Sequence, residues 1–351
     1  VAEKALSGER LTFDDGLVLE RTTDLRSVLR VADAVRRRKH GNRAAYIVNA
    51  HVDHTNICQS QCRFCAYYRT EFEKDAFTLT PEEACRKVPD EVDEIHVVGG
   101  VNPSLHLGYF TNLLKTLKKR FPEAALKAFT AVELHALAER DHIGIRDLLT
   151  SLKEAGLSMI PGGGAEIFDS EIRRRACPSK ASSDEWLAVH RIAHEFGIPS
   201  NSTMLHGHIE KPAHRIEHLL RLRELQDETG GFVAHVPLPY LRENNDLAGE
   251  AAAPDSTMDL RQIALARLIL DNIPHIKSYW RALGIRLAQA GLNAGADDLD
   301  GTVISEDIMH EAGSDSPRGL TSEQMERIIR EAGFEPFRRD SFHNPIGEAD
   351  A

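Results

Sequence analysis

Three of the five cysteines in this 351-residue chain, Cys58, Cys62 and Cys65, lie within eight residues, spaced four and then three apart. Three thiolates on one tight loop can hold three irons of a 4Fe-4S cube and leave the fourth iron without a protein ligand. Clusters that only carry electrons usually have four protein ligands, so this set points to a small molecule on the open iron. The same residue types also suit a zinc site of three Cys and one His, with His51 or His54 as the fourth ligand. Zinc sites of the C-x2-C kind use two such pairs, and here there is one. A chance cluster of buried thiols is the third reading, disfavoured because three of five cysteines share the stretch. The odd number of cysteines fits a reducing compartment better than a disulfide framework.

These cysteines need a scaffold. At 351 residues and 42% hydrophobic content, the chain exceeds the length of a (β/α)8 barrel, about 250 residues, and leaves material for extensions at both ends. A formal charge of -11 argues against a nucleic-acid partner, because phosphate contacts need a basic surface. No apolar run approaches the ~20 residues of a membrane span, and the first ten residues lack the layout of a signal peptide. A soluble, cytoplasmic protein is expected.

Apolar runs of strand length alternate with helix-period stretches, the pattern of a parallel sheet built from βα units. Residues 11–19 and 25–38 read as helices ahead of it, and the basic run Arg36, Arg37, Arg38 and Lys39 as a solvated helix end. Residues 46–51 read as the first strand, followed directly by the cysteine loop. Active sites of such barrels sit at the C-terminal ends of the strands, so the loop belongs at the top. Further strands are expected at 94–98, 125–131, 157–160, 198–205, 232–238, around 272–280 and at 295–302. Thr80 with Glu83 and Ser182 with Glu185 have capping-box spacing, and Cys85 reads as a packed core thiol. Asp297, Asp298 and Asp300 lack EF-hand spacing and are expected in a turn at the barrel rim. Residues 248–254 read as a flexible surface loop. The fold class expected is α/β, a (β/α)8 TIM-type barrel over residues 46–320, with an N-terminal helical extension over 1–45 and a C-terminal helix and tail over 321–351.

Other candidate residues fall at strand ends. Gly99-Gly100 either lets a ligand approach the backbone or makes a tight turn. Glu166, after the glycine run 162–164, could accept both hydroxyls of a ribose; a salt bridge is the plain alternative. Asn201, Ser202 and Thr203 are small and polar inside a strand, which suits a ligand-filled lumen, since buried hydroxyls and amides need partners. Asn201 and Thr203 are taken as cofactor-binding candidates together with Glu133, at the end of strand 125–131, and Pro237, in strand 232–238. His206 is a candidate proton donor or acceptor, or a loop histidine. Arg242 could fork onto a substrate carboxylate, or simply be exposed.

The cysteine spacing, with Phe64 just before the third cysteine, resembles the radical S-adenosylmethionine superfamily. That resemblance implies a 4Fe-4S cluster whose open iron binds S-adenosylmethionine, and a 5′-deoxyadenosyl radical released when one electron breaks a C–S bond. It also implies that Phe64 packs near the adenine and Gly99-Gly100 along the methionyl group. From about residue 11 to 344, the stretches 58–66, 161–167 and 203–208 are similar to the branch of futalosine-pathway and deazaflavin-cofactor synthases. Within it, residues 271–277 and 299–302 resemble the aminofutalosine synthases more than the cyclic dehypoxanthine futalosine synthases. The chain departs from its relatives at Asn102, where many have His, and at Tyr240-Leu241, where Phe-His is common.

The resemblance implies a transferase of menaquinone biosynthesis. Its radical adds to the enol ether of 3-[(1-carboxyvinyl)oxy]benzoate, an aryl enol-ether dicarboxylate, and loss of a carboxylate leads to 6-amino-6-deoxyfutalosine. S-adenosylmethionine is consumed as co-substrate, and flavodoxin or ferredoxin is the implied electron donor. The sister activities are alternatives within the superfamily, and a non-catalytic zinc or Fe-S binding protein is the alternative outside it.

Overall fold

Among the described residues, short apolar and β-branched runs lay down ten strands: β1 (Arg43–Ile47), β2 (Asn49–Asp53), β3 (Glu94–Val98), β4 (Ala125–Ala128), β5 (Leu157–Met159), β6 (Ser200–His206), β7 (Phe232–Pro239), β8 (His275–Ile276), β9 (Asp298–Gly301) and β10 (Glu335–Arg338). The computed structural model describes residues 1–251 and 253–347. β1 and β2 are halves of one stave, interrupted at Val48, whose amide donates to Asp93 Oδ2 at 3.1 Å and not to a neighbouring strand. The sheet then runs β2-β3-β4-β5 and β6-β7-β8, while β9 pairs with β1. Single parallel bridges, Ile160 to Ser200 and Lys277 to Asp298, join these pieces, so eight parallel staves close into the expected (β/α)8 barrel.

Helices cover the outside, and several are set by the capping boxes visible in the sequence. Thr80 with Glu83 and Ser182 with Glu185 each form one. Thr130 with Glu133 forms another, which ends strand 125–131 at Ala128 and starts a helix over Ala131–Asp141. Glu133 is therefore the third residue of a helix, not the end of a strand. The expected helix 281–290 is split at Gly284, whose φ of 75° interrupts it.

Both extensions join the barrel. Arg215, on the helix Pro212–Thr229, holds Glu20 of the N-terminal segment with bonds of 2.7 and 2.9 Å, all buried. Arg36 departs from the solvated run expected there: it is fully buried and donates to the carbonyls of Ala296 and Gly41. The first stave begins at Arg43, three residues inside the expected N-terminal extension. At the other end, β10 pairs with β1 on the side away from β9, so the C-terminal segment contributes a strand. Asp298 and Asp300 are not at a rim turn; they are buried in β9, facing Arg339 and Lys277. In loop 248–254, residue 252 lies outside the described residues, as do 348–351 of the tail. Among the described residues, no helix is long and apolar enough to cross a membrane.

Candidate active site in the barrel lumen

The cysteine loop leaves β2 and is tied to its surroundings by backbone bonds. Cys58 N–H donates to Arg69 O at 3.0 Å, Gln59 N–H to Val101 O at 2.9 Å and Arg63 N–H to Ala176 O at 2.9 Å. Gln61 adopts a left-handed φ of 42°, which turns the chain between the first two cysteines. Gly100 allows the end of β3 to lie against this loop, because a Cβ there would sit 2.2 Å from Ile57 O and 2.9 Å from Cys58 Cβ. Gly99 similarly leaves room for the His54 ring, 2.6 Å from where its Cβ would be. The Gly-Gly pair thus serves close backbone approach, here to the cysteine loop.

A cavity of about 330 Å³ opens at this loop and descends into the lumen. Cys58, Cys62, Cys65, Phe64, Gly99, Gly100, Glu133, Glu166, Asn201 and Thr203 all line it. Their availability differs. Both carboxylate oxygens of Glu133 are engaged, Oε2 by the Thr130 amide at 2.8 Å and Oε1 by His54 Nε2 at 3.2 Å. Thr203 Oγ1 donates to Gly162 O at 2.7 Å. Glu166 pairs with Lys180 at 2.5 Å, and the Lys180 ammonium lies 5.2 Å from the Phe64 ring centroid, a cation–π distance. Asn201 Oδ1 is buried with no partner. Leaving such an atom unsatisfied costs about 1–3 kcal/mol, so this position favours a ligand.

Three expected site residues stay outside the cavity. Along β6 the side chains alternate, and Asn201, Thr203 and Leu205 face the lumen. His206 has the opposite parity and points to the helix Ser256–Ile269, where its Nδ1 is 3.7 Å from Asp259. Burial pushes its pKa down to about 3. Ser202 shares that outward parity and lies 3.0 Å from His235 Nδ1. Pro237 falls between Val236 and Leu238, which line the cavity, and so faces out. Arg242 donates to Ala248 O at 2.6 Å, away from the lumen.

The lumen also holds residues that the sequence does not mark as site residues. His96, Lys127, Lys277 and Asp300 line the lower cavity with His51. A charged or imidazole side chain inside a short apolar strand was the available signal. Cys177 is buried beside Cys62, and nothing local in the sequence marks it.

The donor set fits a cluster better than a zinc ion. Among the described residues, the set of three ligand atoms within 4.8 Å of one another is His40, His275 and Asp297, so the cysteine sulfurs stand wider apart than one metal ion would draw them. His54 is held by Glu133, and Cys58 Sγ accepts from Val101 N–H at 3.3 Å, the kind of bond that tunes a cluster sulfur.

Residues 52–222 match the radical SAM superfamily and residues 229–347 the CofH/MqnC C-terminal region. The chain is 44% identical to the aminodeoxyfutalosine synthase of Thermus thermophilus, over 99% of this chain and 95% of that one. It is 40% identical to the aminodeoxyfutalosine synthase of Streptomyces coelicolor, over 99% and 93%. A 5-amino-6-(D-ribitylamino)uracil--L-tyrosine 4-hydroxyphenyl transferase of Methanopyrus kandleri is 37% identical over 95% and 94%. In fold, the chain is similar to methylornithine synthase, with a TM-score of 0.77 at 19% identity over 95% and 96% of the two chains. Cysteine loop, barrel and full-length identity agree: the chain belongs to the aminodeoxyfutalosine synthase family of the radical SAM superfamily.

Proposed function

We propose that the chain is a transferase of menaquinone biosynthesis that joins the 5′-deoxyadenosyl group of S-adenosylmethionine to 3-[(1-carboxyvinyl)oxy]benzoate, giving 6-amino-6-deoxyfutalosine with loss of CO2 or bicarbonate. One observation carries this reading: a single cavity links the three cysteines to a polar lumen floor in a chain 44% identical, along 99% of its length, to an aminodeoxyfutalosine synthase. Cys58, Cys62 and Cys65 would hold a 4Fe-4S cluster, which when reduced would supply the electron that cleaves S-adenosylmethionine to methionine and the 5′-deoxyadenosyl radical.

The chain's own residues bind, orient and exclude water. Phe64 lies against the adenine and the Gly99-Gly100 backbone along the methionyl group. Glu166 takes the ribose hydroxyls, with Lys180 holding its carboxylate, and Asn201 Oδ1 accepts a further ligand donor. Thr203 fixes the Gly162 carbonyl and so the shape of the loop around the sugar. The surrounding barrel keeps the reacting carbons dry and close, which favours addition over quenching. Flavodoxin or ferredoxin delivers the electron in the cytoplasm.

The test is anaerobic. The protein is reconstituted with iron and sulfide, reduced, given S-adenosylmethionine and the enol-ether acid, and its products are followed by mass spectrometry. An adenosylated, decarboxylated adduct that vanishes in Cys62→Ala is the expected result. 5′-Deoxyadenosine without adduct rejects the substrate, and intact S-adenosylmethionine in a cluster-loaded sample rejects the enzyme.

A further inference from the structure

Three neighbouring strands set His51, His96 and Lys127 side by side, since the register pairs His51 with His96 and His96 with Lys127. His51 lies two residues before the end of β2, so this layer is about 7 Å below the strand ends. Lys277, just past β8, lines the same cavity. The two lysines are each held by an acid, Lys127 by Glu94 at 2.6 Å and Lys277 by Asp300. An ammonium has three donors and each pairing takes at most one, so both keep donors for another anion. The imidazoles lack partners altogether at one nitrogen: the rings are 4.4 Å apart, and Nε2 of each is buried without a hydrogen bond.

We propose that this layer is the subsite for the aromatic-ring carboxylate of the substrate, with His51 and His96 donating to its oxygens and Lys127 and Lys277 supplying positive charge. The assignment rests on the synthase reading above. The adenosyl group must meet the vinyl carbon, so the enol-ether end faces the cysteine loop. The ring carboxylate, at the far end of the molecule, then points down the lumen to the layer that offers both unpaired imidazoles and ammonium groups. Burial holds His51 down at about 4 and His96 well below its ordinary range, so each is an uncharged ring with one N–H to give.

The test compares the benzoate substrate with 2-phenoxyacrylate, which keeps the enol ether and lacks the ring carboxylate. Cluster-loaded wild-type enzyme should prefer the benzoate by about 100-fold or more in kcat/KM, as expected where buried polar groups await a partner. His51→Leu, His96→Leu and Lys127→Met should each narrow that preference by about ten-fold, through loss of benzoate turnover alone. Calorimetric titration of unreduced enzyme with the two compounds should show the same narrowing in affinity. Lys127→Met strands Glu94, so if it fails to fold the two histidine variants, which strand no charge, carry the test. An unchanged preference in the folded histidine variants overturns the subsite and leaves the synthase reading standing. Cleavage of S-adenosylmethionine by wild-type enzyme, with no adenosyl transfer to either compound, overturns the synthase reading and this assignment with it.

Discussion

Gly100 carries the cysteine loop by having no side chain. A Cβ would meet the Ile57 carbonyl oxygen at 2.2 Å, and backbone cannot swing aside as a flexible side chain can. Gly100→Ala should therefore displace Cys58, lower iron per chain after reconstitution by more than half, and cost about 1–3 kcal/mol in denaturant unfolding. Gly108, in the helix Leu107–Arg120, is the control: a Cβ there meets nothing within 4 Å. Gly108→Ala should load iron normally and gain up to about 0.5–1 kcal/mol from helix propensity. Equal iron loss in the two variants would remove the steric argument.

At the level of elements, the C-terminal segment is tied to the barrel by two arginines in unlike settings, Arg338 at the end of β10 and Arg339 just after it. Arg339 is buried against Asp298 at 2.5 Å, while Arg338 meets Asp93 at 2.7 Å with over a third of its side chain exposed. Removing one partner of a buried pair leaves an uncompensated charge, so Arg339→Met should cost about 3–5 kcal/mol in urea unfolding. Arg338→Met should cost at most about 1 kcal/mol. Similar losses would mean that burial does not separate them. β10 could not be read from Glu-Pro-Phe-Arg, which lacks a strand pattern and pairs along the side of β1 that β3, bonded to β2, leaves free. The features that were legible are local: the cysteine spacing, the capping boxes and the glycine run before Glu166. Parity was not, because staves of a parallel barrel are buried on both faces and do not alternate apolar with polar. In β6, Ser200, Ser202 and His206 outside look like Asn201 and Thr203 inside, so His206 was indistinguishable from a lumen residue. The lumen floor was hidden for another reason. His51, His96 and Lys127 come from separate strands, and only the register brings them level.

Across the whole molecule, buried neutral histidines make the fold sensitive to mild acid. Burial pushes His51 down to about 4, and His206 and His218 to about 3. As pH falls below about 6.5, the unfolded chain takes up protons at these positions and the folded chain does not, so stability falls with pH by up to about 1.4 kcal/mol per pH unit for each histidine. The carboxylates act later. Against burial, which pushes it up, Lys127, Lys277 and Arg339 hold Glu94 down to about 2, so its stabilisation persists until pH drops below the ordinary Glu range. Asp259 works in the opposite sense beside His206. Burial, then Asp255, raises it to about 7, so it binds its proton more tightly in the folded state and adds stability as pH falls from about 7 towards 4. Unfolding free energies measured at half-unit steps from pH 7.5 to about 5 should therefore decline towards acid in the parent chain. His206→Asn should make that decline shallower and Asp259→Asn should make it steeper. Parallel curves for all three proteins would show that neither group titrates as its burial requires.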